Sequence, residues 1–349
     1  MKHDLLHEYA GVIHIHSTYS DGSRPIPEIA HIASEVGLDY LMFTDHNTLQ
    51  PKRDGMEGWY NGVLIATGYE INDADDLNHY LAFNLERELP QHLKPSDYVR
   101  EVNHLGGFGV IAHPDEKRSA MKKYPPYPWT VWDSNEYHGI EIWNQMSEWM
   151  EGLTHFNKYY RVLHPRRSII APMEETLEKW DRTNQTRKVV GIGGVDAHGH
   201  IYKLWGLIQI TIFRYKVLFK TIRTHILSNQ PFSGEGDHEK DLQNLYESLR
   251  DCRCFISNYY CGDARGFRFR AENKSQTVEV GGELKFDKYT HIHVNLPQSA
   301  VVHLIKDGKK SSVQKGEALV FEIKEPGCYR VEAYDFERPW IFSNHIRIL

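Results

Sequence analysis

Two histidines two residues apart sit in an apolar run, Gly11-Val12-Ile13-His14-Ile15-His16, and an acid, Asp21, waits in the turn that follows, Ser17-Thr18-Tyr19-Ser20-Asp21-Gly22. A run of this length and polarity reads as a buried strand. Residues i and i+2 of a strand share a face, so the pattern predicts that His14 and His16 project side by side from a rigid support, as metal ligands should. The arrangement recurs along the chain. Tyr40–Asp45 runs into His46, Val63–Tyr69 into Glu70, and Val110–Ala112 into His113. Val189–Val195 runs into Asp196-Ala197-His198, and His79 opens the run Tyr80–Phe83. Catalytic groups of parallel-stranded barrels collect at the C-terminal ends of the strands, and scattered polar residues would not favour run ends so consistently.

The set His14, His16, Asp21, His46, Glu70, His79, His113, Asp196 and His198 comprises six imidazoles and three carboxylates, too many for one ion. Three ions sharing these groups, with Glu70 or Asp196 bridging, account for all of them; the cofactor expected is two or three divalent metal ions. Mixed nitrogen and oxygen ligation without thiolate suits Zn, Mn or Fe and is poor for Mg or Ca. Three divalent ions against three carboxylates leave a net charge of about +3, or about +2 with one bound hydroxide, so the pocket prefers anions, phosphate esters above all. Clustered metals supply hydroxide near neutral pH and clamp oxygens as charge develops. His14, His16, Glu70, Asp196 and His198 are the expected catalytic core, and no protein nucleophile is needed. Ser17 and Ser20 read as turn and hydrogen-bonding residues. Without metals, burying this set would carry a large desolvation cost.

Substrate contacts belong in the loops after the strands. Asp115–Asp133, which follows His113, is basic, aromatic and proline-rich. Lys117 and Arg118 there are candidates to hold a second phosphate, and Tyr124, Tyr127 or Trp129 to stack on a base. Arg24 is a further phosphate candidate, and His200 and Lys203 lie just beyond His198, with His200 able to protonate a leaving group.

Apolar runs and helical patterns alternate from residue 11 to about 195. The strands are expected at 11–16, 40–45, 63–69, 79–85, 108–112, 138–143 and 188–195, with helices over Ile26–Val36, Ser96–Leu105 and Glu174–Arg187. This alternation predicts a parallel sheet, and ligand-type residues at the ends of so many strands favour a barrel. Over 203–265, Gly206–Phe213 reads as a strand, Phe219–Leu227 as a helix and Glu239–Arg250 as a helix. From about 266, short alternating runs punctuated by Asp307-Gly308 and Pro326-Gly327 predict antiparallel strands. The expected organisation is a barrel over 1–265, with an insertion at about 228–265, and a small C-terminal antiparallel β-sandwich over 266–349.

The chain has 349 residues and a net charge of −6. The mildly acidic balance argues against a dedicated nucleic-acid polymer binder. No run of 18 apolar residues suggests a membrane span, and the polar start is unlike a secretory signal, so a cytoplasmic location is expected. Of the four cysteines, three lie in Asp251–Cys261, where a soft-metal site would lack a fourth ligand; reduced thiols around a strand are expected. His291-Ile292-His293 repeats the His-x-His spacing with no Asp-His run near it and serves as an internal control.

The motifs HIHSTYSDG, TDHN, GYE, NHYLAF, AHP and GVDAH resemble those of the PHP (polymerase and histidinol phosphatase) superfamily, over roughly residues 10–200. The resemblance implies an α/β fold, a distorted seven-stranded (β/α)7 barrel with a di- or trinuclear site. It also implies a division of ligands: His14, His16, Glu70 and Asp196 for one metal, Glu70, His79 and His113 for a second, and Asp21, His46 and His198 for a third. GIEIWN at 139–144, LEKWDR and the terminal RPWIFSNHIRI resemble the branch that includes carbaryl hydrolase, whose members carry a similar C-terminal β domain and include carbamate hydrolases. The function expected is a metal-dependent phosphoesterase acting on a small phosphorylated substrate. The alternatives are a carboxyl-ester or carbamate hydrolase using the same centre, and a non-catalytic metal-binding module.

Overall fold

The computed structural model describes residues 6–118, 125–204 and 208–349, and the backbone alone for 202–204 and 208–210. The first strands are β1 (His7–Ile15), β2 (Tyr40–His46), β3 (Gly58–Tyr60), β4 (Val63–Ile71), β5 (Tyr80–Phe83), β6 (Phe108–Ile111), β7 (Gly139–Asn144) and β8 (Val190–Ala197). All but β3 close a seven-stranded barrel in chain order. The pairs β1–β2, β2–β4, β6–β7, β7–β8 and β8–β1 are parallel, whereas β5 runs antiparallel to both β4 and β6. The sheet is therefore not wholly parallel. The reversal explains why His79 lies before its strand: the start of an antiparallel strand is at the same mouth as the ends of its neighbours.

The helices are α1 (Ile26–Glu35), α2 (Gln50–Arg53), α3 (Pro95–His104), α4 (Gln145–Glu151), α5 (Lys158–Leu163), α6 (Glu174–Asn184), α7 (Tyr215–Leu218) and α8 (His238–Arg250). Alternation along the strands sorts two cores. Leu41, Phe43 and Ile65 face outward and pack with Ile29 and Ala33 of α1, Val99 of α3 and Trp180 of α6. Ile13, Tyr40, Met42, Leu64, Leu81 and Ile192 fill the interior, where Leu242, Leu245 and Leu249 of α8 join them. Arg250 of α8 donates to the carbonyls of Gly106 (2.7 Å) and Gly107 (2.8 Å), just before β6. α8 thus closes the N-terminal mouth and leaves the opposite mouth open, each buried leucine contributing about 1.5–3 kcal/mol.

Beyond β8 come the hairpin β9 (Ile201–Leu204) and β10 (Ile208–Thr211), then β11 (Ile222–Ser228) and β12 (Cys254–Asn258). The helix expected over Phe219–Leu227 is for the most part strand β11. Phe219, Ile222 and Ile226 carry helix-like spacing, but β11 is buried throughout between two antiparallel neighbours, β1 and β12. A strand covered on both faces shows no period-2 signature. β12 pairs in turn with a strand of the C-terminal domain, so hydrogen bonding runs continuously from the barrel into it.

That domain contains β13 (Arg268–Glu272), β14 (Thr277–Glu279), β15 (Glu283–Leu284), β16 (His291–Lys306), β17 (Lys309–Glu322), β18 (Gly327–Asp335), β19 (Arg338–Ser343) and β20 (Ile346–Ile348). Its pairings are antiparallel except β15–β20, around a core that includes Phe269, Ile292, Val294, Val331 and Trp340. Asp307 (φ 50°) and Gly308 (φ 81°) form the two-residue turn between β16 and β17, positive φ at both being the hairpin-favouring geometry. A buried ion network ties the domain to α6: Arg330 donates from Nε (2.6 Å) and Nη2 (2.8 Å) to Asp181, and His345 Nε2 lies 2.7 Å from the same carboxylate.

Candidate metal centre

Each candidate ligand sits at the open mouth for an identifiable local reason. On β1, Val12 and Ile15 face the outer core and Ile13 the interior. Strict alternation would turn His14 outward. Instead His14 adopts φ 67°, and the β1–β8 register slips between Ile13 and Ile15. The left-handed residue resets the phase, so Ile13 and His14, adjacent in sequence, both face the interior, and His16 follows on the same side. Asp196 (φ 51°) and His113 (φ 25°) are likewise in the left-handed region. Such backbone costs of order 1–3 kcal/mol each and persists where surroundings over-determine it. His46 and Glu70 are brought together more simply, as register partners on β2 and β4.

Glu70 is the hub. Its Oε1 lies 2.6 Å from His79 Nδ1 and 3.3 Å from His113 Nε2. Its Oε2 lies 3.1 Å from His14 Nε2, 3.3 Å from His16 Nε2 and 3.4 Å from His46 Nδ1. Asp196 Oδ1 is within 3.5 Å of His14 Nε2, 3.3 Å of His16 Nε2 and 3.4 Å of His198 Nδ1. Asp21 Oδ1 lies 3.2 Å from His198 Nε2 and 3.8 Å from both His46 Nε2 and His16 Nδ1. The structure thus brings all nine candidate ligands together. Ligand atoms within 4.8 Å of one another group as His16, Asp21, His46 and His198; as Glu70, His79 and His113; and as His14 with His16 and Glu70 or with His113 and Asp196. Among the described residues no such group contains a cysteine or His291 and His293; His293 faces Glu272 at 2.9 Å, and the four cysteines are free.

The donor set fits divalent ions. Both ring nitrogens of His16, His79 Nε2 and His113 Nδ1 are buried and make no well-directed hydrogen bond, a need that a cation would meet. Electrostatics agree. Burial pulls His16 and His79 down, yet Asp196 and Glu70 outweigh it for His16, pushed up to about 9, and Glu70 and Asp76 for His79, pushed up to about 10. His14 is held well above the ordinary imidazole range against burial by Glu141, Glu70 and Asp196. Burial raises Glu70 and Asp196, but the surrounding histidines hold both well below the carboxylate range. Carboxylates that draw protons onto neighbouring imidazoles are carboxylates short of positive charge, which metal ions would supply.

Two bracing carboxylates were not singled out in the sequence. Glu141 of β7 lies 3.0 Å from His14 Nδ1 and accepts from the His113 amide at 2.8 Å. Asp45 accepts from the Ser17 amide, the Ser17 hydroxyl and the Ser20 hydroxyl, each at 2.8 Å, and so holds the turn that carries Asp21. Ser17 and Ser20 are hydrogen-bonding turn residues. The only signal for Asp45 and Glu141 was their place within strands otherwise apolar.

A cavity of about 940 Å³ opens from the cluster. Of the substrate candidates, Arg118 and His200 border it, His200 stacked on His198 at 5.0 Å. Lys117 instead pairs with Glu175, and Arg24 with Glu28 at 2.6 Å, both exposed and neither among the residues that line the cavity. Tyr127 borders the cavity, its ring stacked on His79 at 4.8 Å. Trp129 is a core residue, packed on Tyr80 and Tyr98. Tyr124 and the side chain of Lys203 lie outside the described residues. No helix is long and apolar enough to cross a membrane among the described residues.

No family model and no curated protein matches the chain. Among solved structures, it is similar to a two-domain protein from Bacteroides vulgatus containing a predicted PHP-like metal-dependent phosphoesterase, at 15% identity over 97% of this chain and 95% of that one, with a TM-score of 0.47. It is also similar to PsfC from Pseudomonas syringae, at 13% identity over 70% and 98% with a TM-score of 0.41. A third is an amidohydrolase from Chromobacterium violaceum with bound sulfate, at 14% identity over 56% and 91% with a TM-score of 0.35. With TM-scores below 0.5, these likenesses are too distant to assign an activity to this chain.

Proposed function

We propose that this chain is a metal-dependent hydrolase of ester bonds, a phosphoesterase in the first instance, working through the cluster around Glu70. The observation that carries this is the reach of one buried carboxylate: the two oxygens of Glu70 face separate sets of imidazoles, His79 and His113 on one side and His14, His16 and His46 on the other. A carboxylate so placed would be available to two cations. The residues of this cluster would hold divalent ions, Zn, Mn or Fe by donor chemistry, which when bound would supply acidified water and charge neutralisation at the substrate oxygens.

The chain's own groups then have defined tasks. Glu141 orients His14 so that Nε2 faces the cluster. Ser17 and Ser20 spend their hydroxyls on Asp45, so neither is a nucleophile. His200 borders the cavity beside His198 and is the group placed to exchange a proton with the departing oxygen. A loaded cluster with net positive charge favours an anionic head, which supports the phosphate ester.

A second reading, a carboxyl-ester or carbamate hydrolase, is favoured by the state of Arg118, which borders the cavity but is already engaged by Glu116 at 2.7 Å. The test pairs elemental analysis with turnover of p-nitrophenyl phosphate, bis-p-nitrophenyl phosphate and p-nitrophenyl acetate by wild type and His14→Ala. Two or three metals per chain with phosphate-ester turnover lost in the variant is the expected outcome. Turnover of acetate alone moves the assignment to the second reading, and full occupancy with no turnover leaves a metal-binding module.

A further inference from the structure

The cavity is far larger than a phosphate needs, and its two ends differ in chemistry. Asn47, Asn72 and Asp76 gather beside His46 and His79 at the metal end. The far wall is largely apolar, built from Met146, Trp149, Met150, Leu153, Val162 and Phe213, with Thr154, His155 and Lys158 beside it. It is also preformed. Trp149 meets Phe213 edge-on at 4.6 Å, and its Nε1 donates to the Arg161 carbonyl at 3.0 Å, locking the indole between α4 and α5. Across the cavity, the Tyr127 ring stacks on His79 and lies under the Arg118 guanidinium, 5.1 Å away.

Among the described residues, the guanidinium that borders the cavity is already paired, and the one lysine there lies on an exposed segment. Arg118 is paired with Glu116, and Lys158 holds its ammonium 5.0 Å over the Tyr159 ring. A sugar or a second phosphate laid along this wall would lose its hydration without gaining partners. An apolar body gains instead, by about fourfold for each methylene buried. A volume near 940 Å³ holds most of a drug-sized ligand.

We propose that the substrate is an amphiphile, with its hydrolysable head at the metal cluster and an aromatic or extended alkyl body seated against the Trp149–Phe213 wall. This rests on the reading that the cluster hydrolyses esters. It replaces the expectation that Lys117 and Arg118 hold a second phosphate: the specificity wall is apolar.

The test uses the metal-loaded full chain and separates binding from turnover. Calorimetric titration with methylphosphonate, benzylphosphonate and 3-phenylpropylphosphonate, none of which is hydrolysed, reads the body's contribution. Steady-state kcat/KM for ethyl phosphate and 3-phenylpropyl phosphate, whose leaving groups are both primary alkoxides, reads the reaction. The expected result is a Kd at least about tenfold lower for phenylpropyl- than for methylphosphonate, with kcat/KM following the same order. Val162→Trp, and independently Leu153→Trp, should erase that preference by filling the cavity, read as the ratio of phenylpropyl- to methylphosphonate affinity within each variant falling to about one. Equal affinity along the phosphonate series in wild type overturns the proposal, as does a preference that survives both fillings. A phosphonate preference with no turnover of any ester upholds the apolar site and removes the hydrolase reading.

Discussion

Glu141 Oε1 lies 3.0 Å from His14 Nδ1, and the space it occupies exists because residue 194 is glycine: a Cβ on Gly194 would stand 1.8 Å from that oxygen. A carboxylate behind a metal-binding histidine sets its tautomer and raises its basicity, and losing it typically weakens metal binding 10–100-fold. Glu141→Ala should therefore weaken metal affinity by about that factor, and Gly194→Ala should act in the same direction by displacing the carboxylate. Competition with a chelator of known affinity reads both, and wild-type affinity in Glu141→Ala would remove the residue from this role.

Asp45 acts on a different part of the centre. Its three accepted hydrogen bonds hold the Ser17–Ser20 turn, and Asp21 follows directly. Asp45→Ala should loosen Asp21 and lower affinity at the His16, Asp21, His46 and His198 group, by about tenfold, before the Glu70, His79 and His113 group is affected. Metal content after graded dialysis should show one ion lost early. Unchanged stoichiometry across the series would exclude this action.

Glu148 makes stability depend on pH. Burial pushes its carboxyl up to about 7 from 4.5, although Trp143 and the amides of Ile170 and Ala171 donate to it. Between the unfolded value and 7, the folded chain keeps a proton that the unfolded chain has released, so stability falls as pH rises through that window and levels off above it. The loss should be about 1–3 kcal/mol. Urea unfolding at pH 5 and pH 8 should show this difference in wild type and its absence in Glu148→Gln.

The Asp181, Arg330 and His345 network should anchor the C-terminal domain. Burial raises the Asp181 carboxyl, but Arg330 and His345 hold it well below its ordinary value. Its contribution is therefore present above the unfolded carboxylate pKa, near pH 4, and is lost as pH falls further. Arg330→Met leaves a buried carboxylate half-compensated and should cost about 3–5 kcal/mol at neutral pH. A thermal unfolding midpoint within a degree of wild type would show that the network carries no net stability.

Much of this was written in the sequence. Residue type at or just beyond the ends of apolar runs marked the candidate ligands that the fold brings together, because a strand that crosses a packed interior must be apolar until it emerges, and polar groups at the exit mark a mouth. The same logic found His79 at the start of its run, though not that β5 is reversed. The turn at Asp307-Gly308 was legible because its backbone requirement is local.

Only the tertiary structure decided the rest. His14 reaches the cluster through a left-handed residue and a register slip against β8, not through simple alternation. β11 is a strand despite helix-like spacing because two antiparallel neighbours, β1 and β12, claim it. Arg24 and Lys117 are spent on surface acids, while the apolar wall of the cavity includes Trp149 and Phe213, 64 residues apart in sequence and 4.6 Å apart in space. Periodicity and residue type are one-dimensional and report what a segment prefers. Which face is covered, which charge is already paired and which apolar groups line one cavity depend on contacts between distant segments, and those are settled only when the barrel closes.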